Sequence, residues 1–214
     1  MGDVYGVIYA DPGWEFENRG IKGTIVDKAG VERYRCGSLQ ELETIRVPAA
    51  AASVMFMWVV MPQFHMCVAL LESWGFTFDG VVLVWMKTNK NDGRPFFGMG
   101  SYPRSNVEML VRGTRGSCVG RKWSASKSTP APTHLSAPRR EHSQKPESVR
   151  DIVVHFARTH QLGRPLEMFA RDTSRTDIDY FVGDQQDKYA GMSADEIAAA
   201  LGPGKAGGRN EKSR

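Results

Sequence analysis

Val4-Tyr5-Gly6-Val7-Ile8-Tyr9-Ala10-Asp11-Pro12-Gly13-Trp14 is the stretch on which the reading of the chain turns. Val4 to Ile8 is an apolar run of strand length, as a buried strand requires. The second half puts a carboxylate, a proline, a glycine and an indole where strand gives way to loop. In open α/β sheets, ligands occupy the crevice beyond the carboxyl ends of the strands. Asp11 offers acceptor oxygens there, and Pro12 lacks an N–H but keeps its carbonyl. Trp14 brings a flat apolar face on which a base can stack. Two acceptors and a ring describe a holder for the exocyclic amine of adenine or cytosine. The plain alternative is a Pro-Gly turn with Trp14 as core filler.

Outward from this stretch, the chain alternates strands and helices. Glu15 to Arg35 is polar and glycine-containing and reads as a long loop, of the kind that forms lids or binding loops. Ser38 to Ile45 reads as a short helix, with Ser38 and Glu41 spaced as a capping box. Ser53 to Val60 is a continuous apolar run, as in a parallel sheet covered on both faces. Pro62 opens a helix to about Trp74, and Gly75 stops it. Phe76 to Lys87 is the next strand. Strand, helix and strand at this spacing make a crossover unit and set the class as α/β.

Beyond it, Asn89 to Ser105 is a glycine-rich loop and Glu108 to Arg112 a further strand. Gly113 to Lys145 is poor in apolar residues and strongly basic, and reads as a solvated loop. In a protein with a base-holding crevice it also suits contact with phosphates. Lys145-Pro146-Glu147 starts a helix whose buried face is Val149, Ile152, Val153 and Phe156. Pro165 to Arg171 is a strand whose end is a second candidate ligand edge, and Asp179 to Gln185 a last short one. Ser193 to Leu201 can form one small helix, and Gly202 to Arg214 is glycine- and charge-rich, the composition of a frayed tail. The expected division is one catalytic domain over 1–190 and a short helix with a basic tail over 191–214.

The 214 residues carry 28 Lys and Arg against 24 Asp and Glu, a net charge of +4, and the isoelectric point is near 9.0. That balance permits a polyanionic partner. Cys36, Cys67 and Cys118 are odd in number and widely spaced. They indicate neither a zinc site nor a disulfide framework, and fit a reducing compartment. No signal peptide is evident after Met1, and the apolar run from Pro48 to Pro62 is too short and too interrupted to span a bilayer. The expectation is a cytoplasmic protein, in a bacterium or a phage-infected cell, with no membrane partner and no metal.

Three separated motifs resemble one family. Ala10-Asp11-Pro12-Gly13-Trp14, the arginine-rich run Arg139-Arg140-Glu141-His142-Ser143-Gln144-Lys145-Pro146, and Leu166-Glu167-Met168-Phe169-Ala170-Arg171 occur in the order and spacing of the MT-A70 family. Those are S-adenosylmethionine-dependent adenine-N6 methyltransferases, and the likeness covers residues 4 to 185. It is nearest to the small single-domain members of bacteria and their viruses. It implies a Rossmann-like class I methyltransferase fold, a mostly parallel sheet with helices on both faces, in which the catalytic motif precedes the cofactor-binding strand. It implies Asp11, Pro12 and Trp14 as catalytic residues. Asp11, Lys145, Glu167, Phe169, Arg171, Asp184 and Gln185 would bind S-adenosyl-L-methionine. Beside Trp14, the substrate side would comprise Arg104, Asn106, Arg121, Lys122, Arg139 and Arg140.

The implied activity is methyl transfer to adenine N6 in nucleic acid, DNA in preference to RNA, by a monomer or homodimer. Two positions depart from the family pattern. Gly13 replaces the second proline of the Asp-Pro-Pro-Trp motif, which loosens the loop. Asp184 replaces an asparagine, removing a donor and adding charge. These departures leave open a nucleic-acid-binding protein without turnover. Action on cytosine or a small amine is a further alternative.

Overall fold

The computed structural model describes residues 4–14, 24–26, 32–35, 37–97, 104–117, 132–140, 144–170 and 173–182. In chain order the elements are β1 (Tyr5–Ala10), β2 (Thr24–Val26), β3 (Glu32–Arg35), α1 (Leu39–Glu43), β4 (Ala49–Val60), a single 3-10 turn (Met61–Gln63), α2 (Phe64–Ser73), β5 (Thr77–Thr88), β6 (Val107–Arg115), β7 (His134–Pro138), α3 (Glu147–Thr159), β8 (Leu166–Ala170) and β9 (Asp179–Val182). Seven strands form one sheet in the order β7-β5-β6-β4-β1-β8-β9. All run parallel except β6, which lies antiparallel between β5 and β4. This is the Rossmann-like arrangement of a class I methyltransferase.

Burial follows the sequence pattern. β4 is a long apolar run because both of its faces are covered. Met55, Met57 and Val59 pack with Leu42 of α1 and Cys67, Leu70 and Leu71 of α2 on one face. Val54, Phe56 and Trp58 pack on the other, against Val149, Val153, Phe156 and Ala157 of α3. The α3 residues recur at the spacing of one helical stripe. The capping box at α1 is formed: Glu41 N–H donates to Ser38 Oγ, and Ser38 N–H donates to Glu41 Oε2.

Two stretches expected as loops contain strands. Between Glu15 and Arg35, β2 and β3 pair as an antiparallel ribbon. Glu32-Arg33-Tyr34-Arg35 has three charges in four residues, so its composition gave no strand signal. Within 113–145, β7 adds to the outer edge of the sheet, parallel to β5. It alternates between half-buried and exposed residues and ends on Pro138, which an edge strand accepts because one side of its backbone has no ladder partner. The expected helix over Ser193–Leu201 lies outside the described residues.

The chain leaves β1 toward β4 on one side and later runs from β8 to β9 on the other. The direction of winding therefore reverses between β1 and β8. A crevice opens at such a reversal, outside the carboxyl ends of the strands, and ligands bind there.

Candidate active site

Two carboxylates stand at that reversal. β1 pairs with β8 so that Tyr9 lies opposite Glu167 and Ala10 opposite Met168. Asp11 follows directly, on the first residue past the strand. A third carboxylate arrives by a different route. β6 runs against its neighbours, so its N-terminal end shares the edge where the others end. Glu108, opposite Val60 and Trp85 in register, thus reaches the same lip.

Lys145, just ahead of α3, ties two of these together. Its Nζ donates to Asp11 Oδ2 at 2.7 Å and lies 3.2 Å from Glu108 Oε2. Lys87 at the end of β5 donates to the other Glu108 oxygen. Charges therefore alternate along the lip, Asp11, Lys145, Glu108, Lys87. Burial alone would push the Glu108 carboxyl up, but the two lysines, Lys145 foremost, outweigh it and hold it below the ordinary carboxylate range. Beneath the lysines, Trp58 and Trp85 meet edge-on with centroids 6.2 Å apart. Lys145 stands 5.7 Å from the Trp58 ring and Lys87 5.2 Å from that of Trp85, within cation–π range.

Glu167 is treated differently. It is 4% exposed, and among the described residues one of its two oxygens is used. Arg150 Nε and Nη2 both donate to Oε1, at 3.2 and 2.8 Å. Oε2 is buried with no hydrogen-bond partner among the described residues. Burial pushes this carboxyl up to about 7 despite the Arg150 charge, with Asp11 and Glu147 adding to the rise. Neighbouring Tyr9 accepts from Trp58 Nε1 at 2.6 Å. Burial, with Glu167 beside it, holds the Tyr9 hydroxyl well above its usual range, so it stays neutral.

The loop after Asp11 is fixed from outside. Gly13 O accepts from Gly37 N–H at 2.8 Å, and Trp14 bridges Gly37 in parallel. Trp14 was expected to stand open as a stacking face. Its ring is instead 5% exposed and packs in the core cluster with α1 and α2, because a large apolar ring beside that cluster gains more by burial than by exposure. Phe169 sits at a break in the register between β8 and β9 with φ of 65°, a strained conformation for an aromatic residue. Its ring stacks on Trp74, centroids 6.4 Å apart.

Arg104, Asn106, Arg139 and Arg140 border the same edge of the sheet. Asn106 O accepts from Lys87 N–H, and Arg139 N–H donates to Thr88 O. The Arg139 guanidinium lies 4.2 Å over Phe96, and Arg140 lies 3.8 Å from Glu147. Arg121, Lys122, Arg171, Asp184 and Gln185 lie outside the described residues. Lys87, Arg150 and Tyr9 were not singled out from sequence, and Glu108 was given no role. The family likeness sets the segment of Arg104, Asn106 and Glu108 beside the substrate pocket, and Glu108 is also a charge inside the apolar run Val107 to Val111. Nothing marked Lys87 or Arg150, whose partners Glu108 and Glu167 lie on other elements.

The donor set fits a nucleoside cofactor with a diol and an amino-acid end. Buried Glu167 Oε2 is an acceptor without a donor, as a ribose hydroxyl would supply, and the Lys145 ammonium suits a carboxylate. Among the described residues no cluster of His, Cys, Asp or Glu could hold a metal, and no helix is long and apolar enough to cross a membrane.

Comparison with known proteins agrees with this geometry. The family model MT-A70 matches residues 5–185. The Type II methyltransferase M.MunI of Mycoplasma sp is 30% identical over 184 residues, covering 78% of this chain and 72% of that protein. The sheet order, the crevice at its reversal and this match over most of the sequence lead to one conclusion: the chain belongs to the MT-A70 family of methyltransferases.

Proposed function

We propose that this protein transfers a methyl group from S-adenosyl-L-methionine to N6 of adenine in DNA. The observation that carries the reading is that Asp11 and Glu167 share one lip, at the ends of two paired strands, on the side that α3 covers. An amine held by one and a ribose held by the other would sit side by side. The Type II relative favours DNA over RNA.

Bound S-adenosyl-L-methionine supplies an electrophilic methyl group on sulfur. Asp11 and the Pro12 carbonyl accept hydrogen bonds from the adenine amine, aim it at that methyl, and stabilise the positive charge that grows on nitrogen. Holding the two reactants in line supplies a large share of the acceleration. Lys145 fixes the Asp11 carboxylate, and Glu108 and Lys87 fix Lys145. Glu167 takes the ribose hydroxyls on Oε2, and Lys145, Phe169, Arg171, Asp184 and Gln185 complete the cofactor side. Gly13 does not leave the loop slack, because Gly37 pins it. Trp14 backs the amine holder from within the core, and stacking on the base would require its ring to turn outward. A duplex adenine has to leave the stack before it reaches Asp11. Arg104, Asn106, Arg121, Lys122, Arg139 and Arg140 hold the backbone around it.

Incubation with labelled cofactor and DNA, then digestion to nucleosides, should give N6-methyladenine. Asp11→Ala should lower transfer by on the order of 1000-fold, the scale of removing one transition-state hydrogen-bond acceptor or donor, with cofactor affinity kept within about tenfold. Label on RNA alone, or equal turnover by the variant, contradicts the proposal.

A further inference from the structure

Arg150 is a residue the methyl-transfer chemistry does not call for. It lies inside α3, one turn on from Glu147, with its side chain only 12% exposed. A guanidinium fork ordinarily matches a carboxylate with two parallel bonds, one to each oxygen. Here both nitrogens converge on Glu167 Oε1, and Oε2 is left buried with no partner among the described residues. A buried acceptor left unpaired costs about 1–3 kcal/mol, so such an atom in a native fold needs an explanation.

The guanidinium is itself held from behind. Arg150 Nη1 donates to Glu147 Oε2 at 3.0 Å. Glu147 Oε1 accepts from Arg175 Nη1 at 3.0 Å. Arg175 is anchored in turn by Asp177, at 2.9 and 3.0 Å, and by Asp151. A chain of four links thus runs from the segment before β9, through α3, to the strand that carries Glu167. It sets the angle at which Arg150 meets that carboxylate.

We propose that Arg150 is the positioning residue for Glu167: it grips one oxygen and reserves the other for the hydroxyls of the cofactor's ribose. The claim rests on the methyltransferase reading for the ligand, but its central statement concerns two protein side chains. Among the described residues, the groups that face Glu167 are Arg150 and Glu147 from α3, Tyr9 and Asp11 from β1 and the loop after it, and Tyr180 opposite it in β9. Arg150 is the cation among them that lowers the Glu167 pKa. Without it, burial and the neighbouring carboxylates act unopposed. The carboxyl already titrates near 7 with Arg150 present, so the variant should hold its proton into alkaline solution.

A purely structural strut between α3 and β8 makes a different prediction. Losing a strut weakens binding by the same factor at every pH, whereas losing the ionising partner weakens it most at low pH. The probe is 5′-methylthioadenosine, which has the ribose diol but no amino-acid group to titrate in this range. Its affinity should be measured by calorimetry from about pH 6 to about pH 9.5 for the native protein, Arg150→Met and Arg150→Lys. Native affinity should fall as pH drops through about 7. In Arg150→Met the fall should move up by about one unit or more, giving at least about threefold weaker binding near pH 7.5, about tenfold near pH 6, and convergence in alkali. Arg150→Lys should recover most of the native profile.

Curves for native protein and Arg150→Met that run parallel, or coincide, overturn the proposal. If the native protein binds neither this probe nor S-adenosylhomocysteine, the methyltransferase reading fails instead. The positioning claim is then decided by carbon-13 NMR of the glutamate carboxyls. The Glu167 midpoint should rise in Arg150→Met, and an unchanged midpoint overturns it.

Discussion

Glu108 and Glu167 are the same residue type on the same lip, nearly equally buried at 5% and 4% exposure, yet they titrate in opposite directions. Glu108 gives each oxygen a lysine and is held below the ordinary range. Glu167 gives both bonds of one arginine to a single oxygen and is pushed up to about 7. Burial is common to both, so it cannot be what separates them. The difference lies in how many cations converge, on how many oxygens, and in the Asp11 and Glu147 charges that stand beside Glu167. A carboxylate satisfied on both sides is finished and serves to fix its neighbours. One satisfied on a single side keeps an acceptor in reserve.

The comparison breaks most visibly at Lys145. Lys145→Met takes the cation that Asp11 and Glu108 share and leaves two carboxylates facing each other. Removing one partner of a buried pair costs on the order of 4 kcal/mol, read as a lowered midpoint in urea unfolding. A loss below about 1 kcal/mol would mean that the lysine bridge does not hold Glu108.

The next effect is a difference in pH slope. The folded-state pKa of Glu167 is raised from 4.5 to about 7. Its contribution to stability is therefore fully present below the unfolded value and is lost as pH rises through about 7. Glu108 has the opposite sign, with a contribution present above the unfolded value and lost as pH falls through its lowered one. Between about pH 5 and 8, Glu167→Gln should remove a native loss of up to about 3 kcal/mol, measured by denaturant midpoints across pH. The same slope in native protein and variant would assign it to another group. The smallest effect belongs to Lys87, whose side chain is 23% exposed. Lys87→Met should cost about 1 kcal/mol and move Glu108 part of the way toward the behaviour of Glu167, with Lys87→Arg close to neutral in the same melts.

The parts of this molecule that read directly from sequence are those whose periodicity reports burial. β1, β4, α2 and α3 each carry an apolar run or stripe, and each forms where that pattern places it. β3 and β7 do not: three of the four β3 residues are charged, and β7 is a polar edge strand that buries too little to leave a pattern. The candidate site divides along a similar line. Asp11, Lys145 and Glu167 lie in motifs and could be named from sequence. Their contacts could not, since Lys145 and Asp11 are 134 residues apart and meet only because α3 begins beside the end of β1. Glu108 and Lys87 meet through the register of two antiparallel strands, and Arg150 meets Glu167 across a helix and a strand. Trp14 shows the reverse case: the residue was legible, but its burial was decided by Gly37 and α1, which pack around it.

The reversed strand β6 has a consequence for how this scaffold can change. Because β5 and β6 are antiparallel neighbours, the end of β5 at Thr88 and the start of β6 at Val107 both lie on the ligand side of the sheet. The turn is fastened at its base by the Thr88–Pro95 bridge and by Phe96 N–H donating to Lys87 O. Residues can be inserted or exchanged beyond that fastening without shifting β1 or β8. Exchanges there therefore leave the lip formed by Asp11 and Glu167 in place.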